Sequence, residues 1–71
     1  MKKIAIFGST GSIGSSLLKI IKDDEKNFKI ELLTANKNYK KLIKQAIFFN
    51  VKNIIITDYN SFLIATKLLK N

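Results

Sequence analysis

The segment Gly8-Ser9-Thr10-Gly11-Ser12-Ile13-Gly14 constrains this chain more than any other. It follows the apolar run Ile4-Ala5-Ile6-Phe7 and precedes an amphipathic stretch. A strand, a glycine-rich turn and a helix start, in that order, make a cradle for a dinucleotide pyrophosphate. Gly8 supplies the backbone angles of the tight turn. Gly11 allows close approach of phosphates, and Gly14 lets the first helix pack against the strand. The N–H groups at the helix start then face the anion, helped by the helix dipole. The spacing is G-x-x-G-x-x-G rather than G-x-G-x-x-G. The competing reading is a glycine-rich turn that binds nothing.

The chain has 71 residues, which is room for about one of the two mononucleotide halves of a complete dinucleotide fold. It has no Cys and no His, so neither a disulfide nor a typical zinc site can staple it. The lack of Cys fits a cytoplasmic protein. The net charge is +8, and all 13 basic residues are Lys. A basic surface can attract nucleic acid, acidic membranes or phosphorylated ligands. These Lys are scattered, and no Arg is present for bidentate base or phosphate contacts. Lys, Ile and Asn without Arg point to an AT-biased genome, so neither a nucleic acid nor a membrane is expected as a partner. Gly8 cuts the apolar run after Met1-Lys2-Lys3 too early for a signal peptide. No apolar stretch approaches the ~20 residues that span a bilayer.

Hydrophobic patterning predicts a buried strand at Lys3 to Phe7 and a helix from Ser12 to about Lys22. Ile13, Leu17, Leu18, Ile20 and Ile21 are expected on one broad helix face. Asp23-Asp24-Glu25-Lys26-Asn27 reads as a polar turn. Its three consecutive acids diverge at a helix end, which argues against a metal site. A second strand is expected at Phe28 to Leu33. A second helix follows from Tyr39 to Phe49, with Leu42, Ile43, Ala46 and Ile47 inward. Phe48 and Phe49 read as core aromatics or as contacts to a further surface. Ile54-Ile55-Ile56 centres a third strand at Asn53 to Thr57. Asp58 reads as a helix cap before a third helix from Ser61 to Lys70, with Phe62, Ala65, Thr66 and Leu69 on one face. The order βαβαβα implies an α/β fold, a partial Rossmann fold with a three-stranded parallel sheet in spatial order 3-2-1. One edge of the first strand is then open, a liability for so β-prone a segment, which predicts that residues 1–71 are an incomplete domain or need a partner.

The tip of the second strand discriminates between nicotinamide cofactors, because an acid there bonds the ribose 2′-OH and repels a 2′-phosphate. Here the tip reads Thr34-Ala35-Asn36-Lys37-Asn38, with no acid. Glu31 lies within the strand. Lys37 offers a positive charge, and Asn36 and Asn38 offer amide donors, which favours NADPH. The alternative is a solvated turn that caps the second helix.

The string Ala5-Ile6-Phe7-Gly8-Ser9-Thr10-Gly11-Ser12-Ile13-Gly14 resembles the opening of the 1-deoxy-D-xylulose 5-phosphate reductoisomerase family. Leu33-Thr34-Ala35-Asn36-Lys37-Asn38 resembles that family's second block, and Gln45-Ala46, Phe49 and Ile54 to Asp58 continue the likeness. The chain departs from the family at Leu17-Leu18-Lys19, where Thr-Leu-Asp is common. It also departs at Asn36, often Gly, and at Asp23-Asp24-Glu25, where a Pro is frequent. The resemblance implies NADPH contacts at Thr10, Gly11, Ser12 and Ile13 around the pyrophosphate and at Asn36, Lys37 and Asn38 near the 2′-phosphate. It further implies an oxidoreductase of isoprenoid biosynthesis. Such enzymes are homodimers that use a divalent cation, Mg²⁺ or Mn²⁺, to convert 1-deoxy-D-xylulose 5-phosphate to methylerythritol phosphate. Their catalytic residues and metal ligands lie beyond the region matched here, so no residue of this chain is expected to be catalytic or to bind metal. Two rival readings are the nucleotide-binding half of a short-chain epimerase or reductase, and a non-enzymatic basic nucleotide- or nucleic-acid-binding module. The first rival needs a Tyr-x-x-x-Lys pair, a spacing that Tyr59 and Lys67 do not have.

Overall fold

A computed structural model describes residues 1–70, so the last residue of the expected domain, Asn71, lies outside the described residues. Six elements alternate along the chain: β1 (Lys2–Ile6), α1 (Ser12–Asp23), β2 (Phe28–Ala35), α2 (Tyr39–Phe49), β3 (Asn53–Ile56) and α3 (Tyr59–Leu69). The strands form one parallel sheet in the order β1-β2-β3, as the βαβαβα pattern predicts.

β2 carries a bulge that decides which residues face the core. Ile4 pairs with Ile30 and Ala5 pairs with Leu32, so Glu31 has no partner on β1. An extra residue reverses the alternation of a strand. Ile30 faces inward before the bulge, and Leu33 and Ala35 face inward after it. With Ile6 of β1 they meet Leu18 and Ile21 of α1 and Leu42 and Ala46 of α2. Ile54 and Ile56 of β3 pack against the edge of this cluster. On the opposite sheet face Ala5 and Ile55 are exposed.

Several sequence-based expectations need correction. β1 is not buried on both faces. Only Ile6 is fully buried, because helices cover one face and, among the described residues, only β2 pairs with this strand. Phe7 falls outside the strand and is exposed. β2 runs two residues beyond the expected Leu33, because Thr34 and Ala35 pair with Ile55 and Ile56. β3 stops at Ile56, one residue short of Thr57.

The broad face expected on α1 divides in two. Gly14, Leu18 and Ile21 are buried, while Ile13, Leu17 and Ile20 are exposed. The two stripes sit one residue, about 100°, apart around the helix, and only the first points at the sheet. On α2, Leu42 and Ala46 are buried and Ile43 half-buried, but Ile47 is exposed. Phe49 reaches the core edge, and exposed Phe48 packs edge-on against it with ring centroids 5.0 Å apart.

α3 starts at Tyr59 rather than Ser61, because the Asp58 carboxylate accepts from the Ser61 N–H and so sits one residue before the helix. Its buried stripe is Ser61 and Ala65; Phe62, Thr66 and Leu69 are exposed. Small residues one turn apart leave the helix backbone close to its neighbours, β3 and α2.

A candidate dinucleotide site at the strand tips

The carboxyl ends of β1 and β2 lead into two loops, residues 7–11 and 36–38, that lie side by side. Two hydrogen bonds join the first of them to the end of β2. The Gly8 N–H donates to Thr34 Oγ1 at 2.9 Å, and the Ser9 N–H donates to the Thr34 carbonyl at 3.0 Å. The first loop is therefore fastened to β2 as well as to its own strand.

The three glycines have three separate reasons. Gly8 has φ +69°, a left-handed conformation that L side chains resist. Gly14 has no such angle, but a Cβ there would overlap the Gly8 carbonyl oxygen and stand 2.6 Å from Ser9 Cα. Only glycine lets α1 lie this close to the turn. Gly11 needs neither allowance. Its backbone is extended (φ −77°, ψ 177°), and a Cβ would meet only the Gly8 oxygen at an ordinary 3.5 Å. Among the described residues nothing demands glycine at position 11.

The helix starts differ in the same sense. α2 is capped by Asn38, whose Oδ1 accepts from the Lys41 N–H at 3.2 Å. α3 is capped by Asp58, which accepts from the Ser61 N–H at 3.0 Å and the Ser61 hydroxyl at 2.8 Å. Those bonds hold the Asp58 carboxyl below the ordinary carboxylate range. The hydroxyl acts most, then the N–H; burial opposes them, and the Lys37 ammonium adds a smaller push the same way. α1 has no side-chain cap and no acid in its first turn. Among the described residues the N–H groups of Ser12, Ile13 and Gly14 meet no protein acceptor. Such groups at a helix start, behind a turn without side-chain bulk, suit an anion.

Of the residues expected to contact a cofactor, Thr10 lies in the first loop, Gly11 is the residue before α1, and Ser12 and Ile13 open the helix. The exposed Ile13 side chain lines an open concavity with Phe7, Gly11, Gly14 and Leu17. Asn36, Lys37 and Asn38 are all exposed in the second loop. Asn38 is the cap of α2, so the capping alternative is met at that residue by its oxygen. Asn36 Oδ1 accepts from the Thr57 hydroxyl at 2.9 Å, and its carbonyl accepts from the Asp58 N–H at 3.1 Å. Both amides spend their oxygens inside the protein. Among the described residues their nitrogens, which are donors, meet no protein acceptor.

Ser9, Thr34, Lys41 and Gln45 were missed in the sequence and are central here. Ser9 is completely buried. Its hydroxyl donates to Gln45 Oε1 at 2.8 Å, and Gln45 Nε2 donates back to the Ser9 carbonyl at 3.0 Å. The Ser15 hydroxyl donates to the same carbonyl at 3.3 Å. Lys41 Nζ donates to the Thr10 carbonyl at 3.0 Å, which brings a cation to the turn. The available signal was Gln45 itself, a polar residue between Leu42 and Ala46 on the inward side of α2, where it needs a partner. Glu31 stays out of the site, at the bulge, 3.9 Å from Lys29. Asp24 closes the turn after α1, accepting from the Asn27 side chain at 2.7 Å. Among the described residues no helix is long and apolar enough to cross a membrane.

Comparison with known proteins gives this arrangement a family. The family model for 1-deoxy-D-xylulose 5-phosphate reductoisomerase matches residues 4–71. The chain is 89% identical over its whole length to the reductoisomerase of Pelagibacter ubique strain HTCC1062, and 42% identical over its whole length to that of Buchnera aphidicola subsp. Schizaphis graminum. It spans 18% of the length of each of these relatives. Among solved structures, the Zymomonas mobilis reductoisomerase in complex with NADPH superposes with a TM-score of 0.88 at 32% identity. That match covers 96% of this chain and 18% of the other. The chain belongs to the 1-deoxy-D-xylulose 5-phosphate reductoisomerase family.

Proposed function

We propose that this chain forms the amino-terminal part of the NADPH-binding domain of an enzyme that converts 1-deoxy-D-xylulose 5-phosphate to methylerythritol phosphate. The observation that carries the reading is the uncapped start of α1 behind Gly11, where the described residues give no reason for glycine. There the backbone at Thr10, Gly11, Ser12 and Ile13 receives the pyrophosphate. At the tip of β2, Lys37 supplies the positive charge and Asn36 and Asn38 the amide donors for the 2′-phosphate. NADPH, when bound, supplies the hydride that reduces an aldehyde. The work of this chain is to hold the two phosphate groups at a fixed place. The divalent cation, the homodimer contacts, the substrate site and the catalytic groups belong to the rest of the enzyme, for which the reading keeps a cytoplasmic setting.

The rival epimerase and nucleic-acid readings find no support in the family match. A chimera tests the proposal. This chain replaces the matching segment of the Pelagibacter ubique enzyme, and NADPH binding is followed by cofactor fluorescence. The chimera should bind NADPH and consume it steadily with deoxyxylulose phosphate and Mg²⁺. Gly11→Val should weaken NADPH roughly a hundredfold or more, because it displaces several charge-assisted hydrogen bonds at once. An unchanged affinity would show that the turn is not the cradle.

A further inference from the structure

We infer that Gln45, on α2 and outside the two loops, is a positioning residue that aims the Thr10 N–H at the cofactor pyrophosphate. The inference rests on the proposed NADPH reading of the turn and adds a residue to it.

The geometry runs through one peptide unit. A trans peptide is planar, and its C=O and N–H point in opposite directions. The Ser9 carbonyl is turned into the protein, where it accepts from Gln45 Nε2 at 3.0 Å and from the Ser15 hydroxyl at 3.3 Å. The N–H of the same unit belongs to Thr10 and is thereby turned the other way, outward. Among the described residues it meets no protein acceptor. Gln45 holds the carbonyl from one side and its own orientation is fixed from the other, because Ser9 Oγ donates to Gln45 Oε1 at 2.8 Å. A flipped Gln45 amide would set its oxygen against the Ser9 carbonyl, acceptor against acceptor. Complete burial of Ser9 removes water as a substitute partner.

The consequence is specific to the pyrophosphate. Without Gln45 the Ser9-Thr10 peptide keeps only the longer Ser15 bond on its carbonyl, and the outward N–H is aimed less firmly. The 2′-phosphate contacts, on the separate loop 36–38, do not depend on that peptide. Gln45→Met keeps the length of the side chain and removes both hydrogen bonds.

The test uses the chimera and two ligands, NADPH and adenosine 2′-monophosphate, which carries the 2′-phosphate but no pyrophosphate. The expected result is about a tenfold loss of NADPH affinity on Gln45→Met, the value of one charge-assisted hydrogen bond, with adenosine 2′-monophosphate unchanged. Gln45→Glu keeps shape and polarity but sets an acceptor against the Ser9 carbonyl. It should show the same split and serves if the Met variant does not fold. Equal losses for both ligands would assign Gln45 a merely structural role and overturn the inference, as would NADPH affinity unchanged in both variants. If the unsubstituted chimera binds NADPH no more tightly than its Gly11→Val variant, the cofactor reading fails first and the inference with it.

Discussion

Gly14→Ala should loosen the junction of α1 with the first loop, and the size of the effect follows from what the added methyl meets. The new Cβ overlaps the Gly8 carbonyl oxygen and lies 2.6 Å from Ser9 Cα and 3.0 Å from the Gly8 carbonyl carbon. All three atoms are backbone, so no side chain can rotate out of the way. Overpacking costs about 1–3 kcal/mol, and backbone contacts belong at the upper end, near 3. Replacing Gly by Ala within a helix returns about 1 kcal/mol through helix propensity. The net loss is about 2 kcal/mol. Native-state hydrogen exchange in the chimera measures this locally. The protection of the slow α1 and β1 amides should fall about thirtyfold, at 1.4 kcal/mol per factor of ten. Gly11→Ala is the control: its methyl meets nothing closer than 3.5 Å, so protection should hold. Undiminished or increased protection in Gly14→Ala would refute the close-packing reason for that glycine.

Two further predictions concern charge. Lys37→Ala should weaken NADPH about five- to tenfold more than NADH in paired titrations, as expected of one exposed ammonium on a phosphate; equal losses would show that Lys37 does not read the 2′-phosphate. Asp58 has a lowered folded-state pKa through Ser61, so its stabilisation of α3 is fully present above the ordinary carboxylate pKa and is lost as pH falls through the lower, folded value. Asp58→Ala should therefore flatten the acid limb of α3 amide protection, and superimposable acid limbs in the two proteins would sink this account.

The sequence was most legible where one residue type had one physical consequence. Tyr39 to Phe49 runs as expected because Asn38 caps its start and Asn50 closes its end with φ 55°. Asp58 was legible as a cap, although the helix it caps begins two residues before the expected Ser61. The strand order followed from alternation together with the dinucleotide-fold pattern that the glycine turn implies. Much of the rest depended on what lies opposite a residue, which periodicity does not encode. Ile13, Leu17 and Ile20 have helical spacing as good as that of Leu18 and Ile21, yet only the latter face the sheet. Ile30 and Leu33 both face the core because of the bulge at Glu31, whereas a regular strand would send residues three apart to opposite faces. In the site, the glycine turn was visible in the chain, but its brace was not. Ser9 and Gln45 are 36 residues apart and become a pair only when α2 lies beside the first loop.

The two bonds from Gly8 and Ser9 to Thr34 have a mechanical consequence. They tie the start of the first loop to β2, two residues before Asn36, so the turn at Gly11 and the ammonium of Lys37 belong to one body. Such a body works as a ruler. On the proposed reading, a ligand whose phosphates stand at a different spacing is refused for its length, however well each phosphate alone would bind.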